Sequence, residues 1–243
     1  IKDYDRYKKF KLNDEQEEAF NKIKAKPGGH FLLFGVTGSG KTEIFLQMVE
    51  EVINQGKEAI ILVPEISLTP QTIERFKGRF DEKIAIIHSG LTPSERFDQW
   101  RMINNGEVKI AIGARSAVFA PFKNLGIIII DEEHDNSYIS SKDPKYHTDE
   151  IAKFRANYNN CNLILASATP SINTMTRAQN GEYDLIHLKN RVNKNLPDIE
   201  IVDLKEELKN SNYSIISYRL QEEIKNNLEK NEQTILFLNK IGH

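Results

Sequence analysis

The chain contains a single cysteine, Cys161. No disulfide can therefore form within it, and no cysteine-rich zinc site can be built. Cys161 opens the apolar run CNLILA and reads as a core residue. The histidines stand at 30, 88, 134, 147, 187 and 243, with no pair at helical spacing, which argues against a histidine metal site. No apolar run approaches the ~20 residues that a membrane helix needs. The amino-terminal IKDYDRYKKF is too charged and aromatic for a signal peptide. No membrane partner is expected, and the cytoplasm is the default compartment. A net charge of −2 rules out a globally basic protein, so any nucleic-acid surface has to be a local patch. The chain begins at Ile1 rather than Met, which suggests a piece of a longer protein.

What is present reads as a globular α/β protein: 39% of residues are hydrophobic and 28% charged, well outside the disordered range. The runs HFLLF, EAIILV, KIAIIH, VKIAI, GIIII and NLILA are short, apolar and spaced as strands. EIFLQMVEEVINQG carries a helical stripe of Ile44, Phe45, Met48, Val49, Val52 and Ile53, with Gly56 placed to end it. In TPSER, Thr92 can cap a helix with Pro93 at its first position and Glu95 completing a capping box; Asn105 and Gly106 end that helix. Trp100 lies on it and reads as core. Strands alternating with helices predict a mostly parallel sheet flanked by helices. After about residue 190 the polar, basic KNRVNKNLPD reads as a linker. LQEEIKNNLEKNEQTILFLN then reads as a helix followed by a buried strand. The expected division is one α/β domain over 1–190, then a linker and the truncated start of a second α/β domain over 191–243.

GVTGSGKT matches the phosphate-loop pattern in full, at Gly35, Val36, Thr37, Gly38, Ser39, Gly40, Lys41 and Thr42, and sits between a predicted strand and a predicted helix. Glycines let backbone N–H groups turn inward around phosphate oxygens, and the helix N-terminus adds partial positive charge. Lys41 can reach the β- and γ-phosphates of ATP, and Thr42 can ligate Mg²⁺. IIIIDEEHD follows a different logic. Four isoleucines predict a strand buried on both faces, and the acids must leave the core at its end. Asp131 is placed to supply the second Mg²⁺ ligand and Glu132 to activate water. Another P-loop NTPase, or a small-molecule kinase that uses ATP as substrate, remains the alternative class.

Several stretches together resemble one family. Asp131-Glu132-Glu133-His134 resembles the D-E-x-H box of superfamily 2 helicases. SATPS, with Ser167 and Thr169, resembles the motif that couples nucleotide state to nucleic-acid grip, and Gln16 sits like the adenine-reading glutamine. VPEISLTPQ, HSGLTPSER, GARSAVFAP, LGIIIIDEEHDNSY and YHTDEIAKFRA are similar to the PriA family of bacterial primosomal replication-restart helicases. The resemblance runs from about residue 10 to the end. Ala114 departs from the family's usual Thr, and the terminal NKIGH from its usual N-R-R-G-Y. The resemblance implies a RecA-like lobe and an ATP-driven DNA helicase moving 3′→5′. It implies single-stranded and forked DNA, primosome and single-strand-binding proteins as partners, and zinc only in a part of the parent protein that this chain lacks. The second-lobe arginines of the ATPase site are also missing here, so poor hydrolysis by this chain alone is expected.

His134 is expected to link the ATP site to the coupling motif, with an ordinary loop histidine as the alternative. Arg115 and Ser116 read as a DNA backbone contact, with an arginine salt bridge at a strand end as the alternative. Tyr138, Lys142, Lys145, Tyr146 and His147 combine aromatics and cations, which suits stacking on single-stranded DNA; a plain solvated loop is the other reading. The loop from 137 to 147 is expected to be irregular.

Overall fold

The computed structural model describes residues 9–80, 84–141, 143–193, 198–209 and 211–237. The chain divides into two compact units, 1–194 and 195–243. In the first, seven strands form one parallel sheet: β1 (His30–Gly35), β2 (Glu58–Leu62), β3 (Ile84–Ile87), β4 (Ile110–Gly113), β5 (Leu125–Ile130), β6 (Asn162–Ser167) and β7 (Asp184–Leu188), in the order β3-β4-β2-β5-β6-β1-β7. The six strands expected from the sequence are all there. β7 was missed because its DLIHL lies at the sheet edge, where Asp184, Leu185 and His187 stay exposed and the buried run is too short to stand out.

The four isoleucines illustrate how the sheet works. Side chains alternate across a strand, so Ile127 and Ile129 enter one core with α1 (Asp14–Lys24) and α2 (Lys41–Asn54), while Ile128 and Ile130 enter the other with Ala152 and Ala156 of α5 (Thr148–Asn159). The central strands need apolar residues on both faces because both are covered. Cys161 belongs to the second core, and burial pushes its thiol up to about 11. α3 (Pro70–Phe80) follows β2. α4 (Pro93–Asn104) carries the expected capping box: Glu95 N–H donates to Thr92 Oγ1 at 3.2 Å, and Thr92 N–H donates to Glu95 Oε2 at 2.9 Å. Trp100, expected in the core, is 37% exposed. α4 packs on the edge strand β3, where there is little sheet to cover, and only Ile103 of the helix is buried. α6 (Ile172–Gln179) precedes β7.

The second unit holds two helices among its described residues, α7 (Leu204–Lys209) and α8 (Tyr218–Glu229). The strand expected after α8 is not formed over its described residues. Ile235, Leu236 and Phe237 are 95%, 58% and 88% exposed. A strand is held by ladder bonds to a neighbour, and none of the described residues of this unit forms a strand that could supply them. Among the described residues no helix is long and apolar enough to cross a membrane.

Parallel strands bring all their C-terminal ends to one edge, where open α/β sheets bind ligands. β1 ends in the phosphate loop, β5 in Asp131 and β6 in Ser167. Since β6 lies between β1 and β5, the three ends stand side by side.

Candidate functional site

The phosphate loop leaves β1 at Gly35 and enters α2 at Lys41. Gly38 and Gly40 take φ of +79° and +81°, which favour glycine. At Gly40 a side chain would also collide with the amide of Gln16. Gln16 braces the loop: its Nε2 donates to Ser39 O at 2.8 Å and its Oε1 accepts Asn13 N–H at 2.9 Å within the α1 capping box. Lys41 is 8% exposed and donates to Gly35 O at 2.8 Å. Ser39 is buried, and its hydroxyl has no hydrogen-bond partner among the described residues. The end of β7 and the strap after it also meet the loop: Leu188 O accepts Val36 N–H at 3.3 Å, and Val192 N–H donates to Gly38 O at 2.9 Å.

A cavity of about 490 Å³ brings Gln16 and Thr37 to Thr42 together with Asp131 and Glu132. Gly35 and Val36 form the entry to the loop behind it. Sequence reading missed five lining residues: Phe10, Lys11, Glu43, Arg75 and Val192. Phe10 and Val192 have no motif around them and reach the cavity from opposite ends of the unit. Glu43 is different, since its place directly after the loop's threonine was a signal that could have been used.

The acidic segment is ordered residue by residue. Asp131 N–H donates to Leu62 O at 2.9 Å, continuing the ladder one residue past β5. Burial, then the neighbouring Glu132 charge, push the Asp131 carboxyl up to about 6, with Lys41 acting in the opposite direction. Glu132 has φ of +46°, a left-handed conformation that costs a non-glycine residue about 1 kcal/mol. Glu133 turns away to cap α6, accepting Ser171 N–H at 2.7 Å and the Thr174 hydroxyl at 2.9 Å. His134 Nδ1 meets Ser167 Oγ at 2.7 Å and lies 3.7 Å from Glu132 Oε2, while its Nε2 is 3.5 Å from Thr169 Oγ1. Thus His134, Ser167 and Thr169, distant in sequence, form one cluster behind Glu132.

The following loop differs from its sequence reading. Tyr138 is 4% exposed, with its ring in the second core and its hydroxyl donating to Asp131 O at 2.7 Å. It offers no face to a base, because its ring fills the space beneath the turn at Asn136–Tyr138. The loop is also less irregular than expected: Ser140 N–H donates to Tyr146 O at 2.9 Å, and Ile139 pairs antiparallel with His147. Arg115 donates to the carbonyls of Ser137 and Ile139 at 3.2 and 2.5 Å, and its guanidinium lies 5.9 Å from the Tyr146 ring centre. The strand-end salt bridge is therefore replaced by a clamp on the loop. Tyr146 packs edge-on against half-exposed Phe119 at 5.2 Å. Ser116 and Lys145 are exposed, and Lys142 lies outside the described residues.

Among the described residues there is no cluster of three or more His, Cys, Asp or Glu able to hold a metal ion. Of the oxygen groups lining the cavity, the two expected to hold a cation are a hydroxyl, Thr42, and a carboxylate, Asp131. That set suits Mg²⁺, which binds few protein oxygens and keeps water and phosphate around it. A raised carboxyl such as Asp131 is also one that a cation would relieve.

Comparison with known proteins bears on the family and the fold. The DEAD/DEAH box helicase family matches residues 13–178. The replication restart protein PriA of Bacillus subtilis is 52% identical over 96% of this chain, and that of Haemophilus influenzae 43% over 95%. The chain spans 29% and 32% of the length of these relatives. Solved structures share the fold at lower identity. RecG bound to a three-way DNA junction has a TM-score of 0.56 at 22% identity, covering 78% of this chain and 25% of RecG. The Hef helicase domain of Pyrococcus furiosus has 0.53 at 18%, covering 73% and 38%.

Proposed function

Because the chain belongs to the DEAD/DEAH box helicase family, we propose that it is the ATP-binding lobe of a replication-restart DNA helicase of the PriA kind, with 191–243 as linker and start of a second lobe. The observation that carries this is the single cavity in which the phosphate loop faces Asp131 and Glu132. Lys41 and the loop N–H groups hold the β- and γ-phosphates, and Gln16 with Phe10 faces the base. Thr42 and Asp131 hold Mg²⁺, which when bound neutralises phosphate charge. Glu132 takes a proton from the attacking water. His134 carries the state of Glu132 to Ser167 and Thr169. A kinase would not require that link, and no feature of the site favours one. By the same resemblance the complete protein moves 3′→5′ on single-stranded and forked DNA and works with primosome and single-strand-binding proteins. Two measurements test the reading. This chain should bind ATP with Mg²⁺ in calorimetry, and single-stranded DNA should stimulate ATP turnover by the complete protein.

The raised Asp131 makes the cation site pH-dependent. A carboxyl whose value lies above its ordinary one is held protonated by the fold, a contribution to stability present below pH ~4 and lost as pH rises through about 6. Cation binding needs the ionised form. Apparent Mg²⁺–nucleotide affinity should therefore fall by about tenfold from pH 7 to pH 5. Asp131→Asn should bind more weakly throughout and lose the part of this slope that nucleotide protonation does not explain. Equal slopes in the two proteins would remove Asp131 from the cation site.

For DNA we propose that Tyr146, Phe119, Lys145 and Arg115 with Ser116 form the local contact patch. Tyr146→Ala in the complete protein should leave basal ATP turnover unchanged and reduce its stimulation by single-stranded DNA by about tenfold, as for one stacked base. Undiminished stimulation would make this patch ordinary surface.

A further inference from the structure

Glu43 follows Thr42 in the first turn of α2, is 6% exposed, and lines the nucleotide cavity. A carboxylate this deep normally has every oxygen engaged. One of them is engaged: Oε1 accepts from Gln47 Nε2 at 2.8 Å and lies 3.5 Å from Nη2 of Arg79. The Arg79 side chain is itself 3% exposed and is held in turn by Glu50 at 2.5 Å. The other oxygen of Glu43, Oε2, is buried and has no hydrogen-bond partner among the described residues; Arg79 Nη1 shares that condition. Gln47 Nε2 also donates to Phe10 O at 2.9 Å. Glu43 therefore stands on the side of the cavity where Phe10 is held.

We propose that Glu43 is a nucleoside-recognition residue whose Oε2 accepts a hydrogen bond from the sugar or base of the bound nucleotide. This rests on the reading that the cavity binds ATP. The phosphates cannot be the partner. They carry acceptors and negative charge, which a carboxylate repels. The donors left are the ribose hydroxyls and the exocyclic amino group of adenine. Gln47 and Arg79 are positioning residues: by engaging Oε1 they leave Oε2 as the oxygen still without a partner.

Calorimetry on this chain with Mg²⁺ tests the idea, using ATP, 2′-deoxy-ATP, 3′-deoxy-ATP, the 6-desamino analogue purine riboside triphosphate, and inorganic triphosphate. The wild type should bind ATP about tenfold more tightly than whichever analogue lacks the donor that Glu43 reads. Glu43→Gln should weaken ATP by about the same factor and leave that analogue and inorganic triphosphate within about twofold. If the wild type binds all the nucleoside analogues as tightly as ATP, the inference falls even should the variant not fold. It falls equally if the variant binds ATP normally, or weakens every ligand alike including inorganic triphosphate, which would mark Glu43 as a structural or cation-linked group. Failure of the wild type to bind any nucleotide would instead overturn the ATP reading on which the inference stands.

Discussion

Glu132→Gln in the complete protein is expected to lower ATP turnover by about 10²–10⁴-fold, the usual worth of a positioned general base, while nucleotide affinity changes little. The two halves of that result have one cause. Glu132 is asked to act only on the attacking water, and an interaction made only in the transition state lowers the rate without touching ground-state binding. The substitution keeps the side chain's size and leaves the backbone at φ +46° undisturbed. It also removes a charge that, after burial, does most to raise Asp131. The Asp131 carboxyl should therefore ionise at lower pH in the variant, and the pH profile of Mg²⁺–nucleotide binding should move toward acid. Single-turnover kinetics and calorimetry together read both effects. Turnover at the wild-type rate would take the role of base away from Glu132 and leave it a bystander to Asp131.

Lys41→Ala should weaken ATP binding to this chain by about 100-fold or more, since each charge-assisted hydrogen bond contributes roughly 1.5–3 kcal/mol and tenfold in affinity is 1.4 kcal/mol. Lys41 is almost fully buried against the loop, with its ammonium on Gly35 O. Moving from that carbonyl to a phosphate costs little, and the cation is already desolvated. Thermal stability without nucleotide should fall only slightly, because the loop is held independently by Gln16 and the Val192 strap. Nucleotide-induced stabilisation should disappear, as it follows from affinity. A variant that still gains stability from ATP as the wild type does would place the triphosphate elsewhere.

The local devices were legible because they obey short-range rules. The phosphate loop needs glycines at fixed offsets and a lysine at the helix start. The α4 capping box is a four-residue pattern. A strand buried on both faces must be apolar throughout, which is why six strands could be read directly and the half-exposed β7 could not. Tyr138 shows where such reading stops. In the sequence it is one more aromatic in a polar loop, and only packing against the second core turns its ring inward and its hydroxyl onto Asp131. Arg115 likewise found loop carbonyls instead of a carboxylate. Trp100 was exposed because the sheet ends beneath its helix.

By itself the sequence determined the chemistry available: a phosphate loop, an acidic strand end and the serine–threonine pair Ser167 and Thr169, each on its own strand. That these would meet could be expected only from the motifs' chemistry and the resemblance; the sequence did not contain the arrangement that brings them together. The strand order did that, by setting β6 between β1 and β5, so that Lys41, Ser167 and Asp131 stand at neighbouring ends. Strand order depends on how crossovers cover both faces of the sheet, a global packing problem that no local pattern encodes. The cavity wall came the same way. Phe10, Glu43 and Val192 lie 33 and 149 residues apart along the chain, and only folding places them around one space.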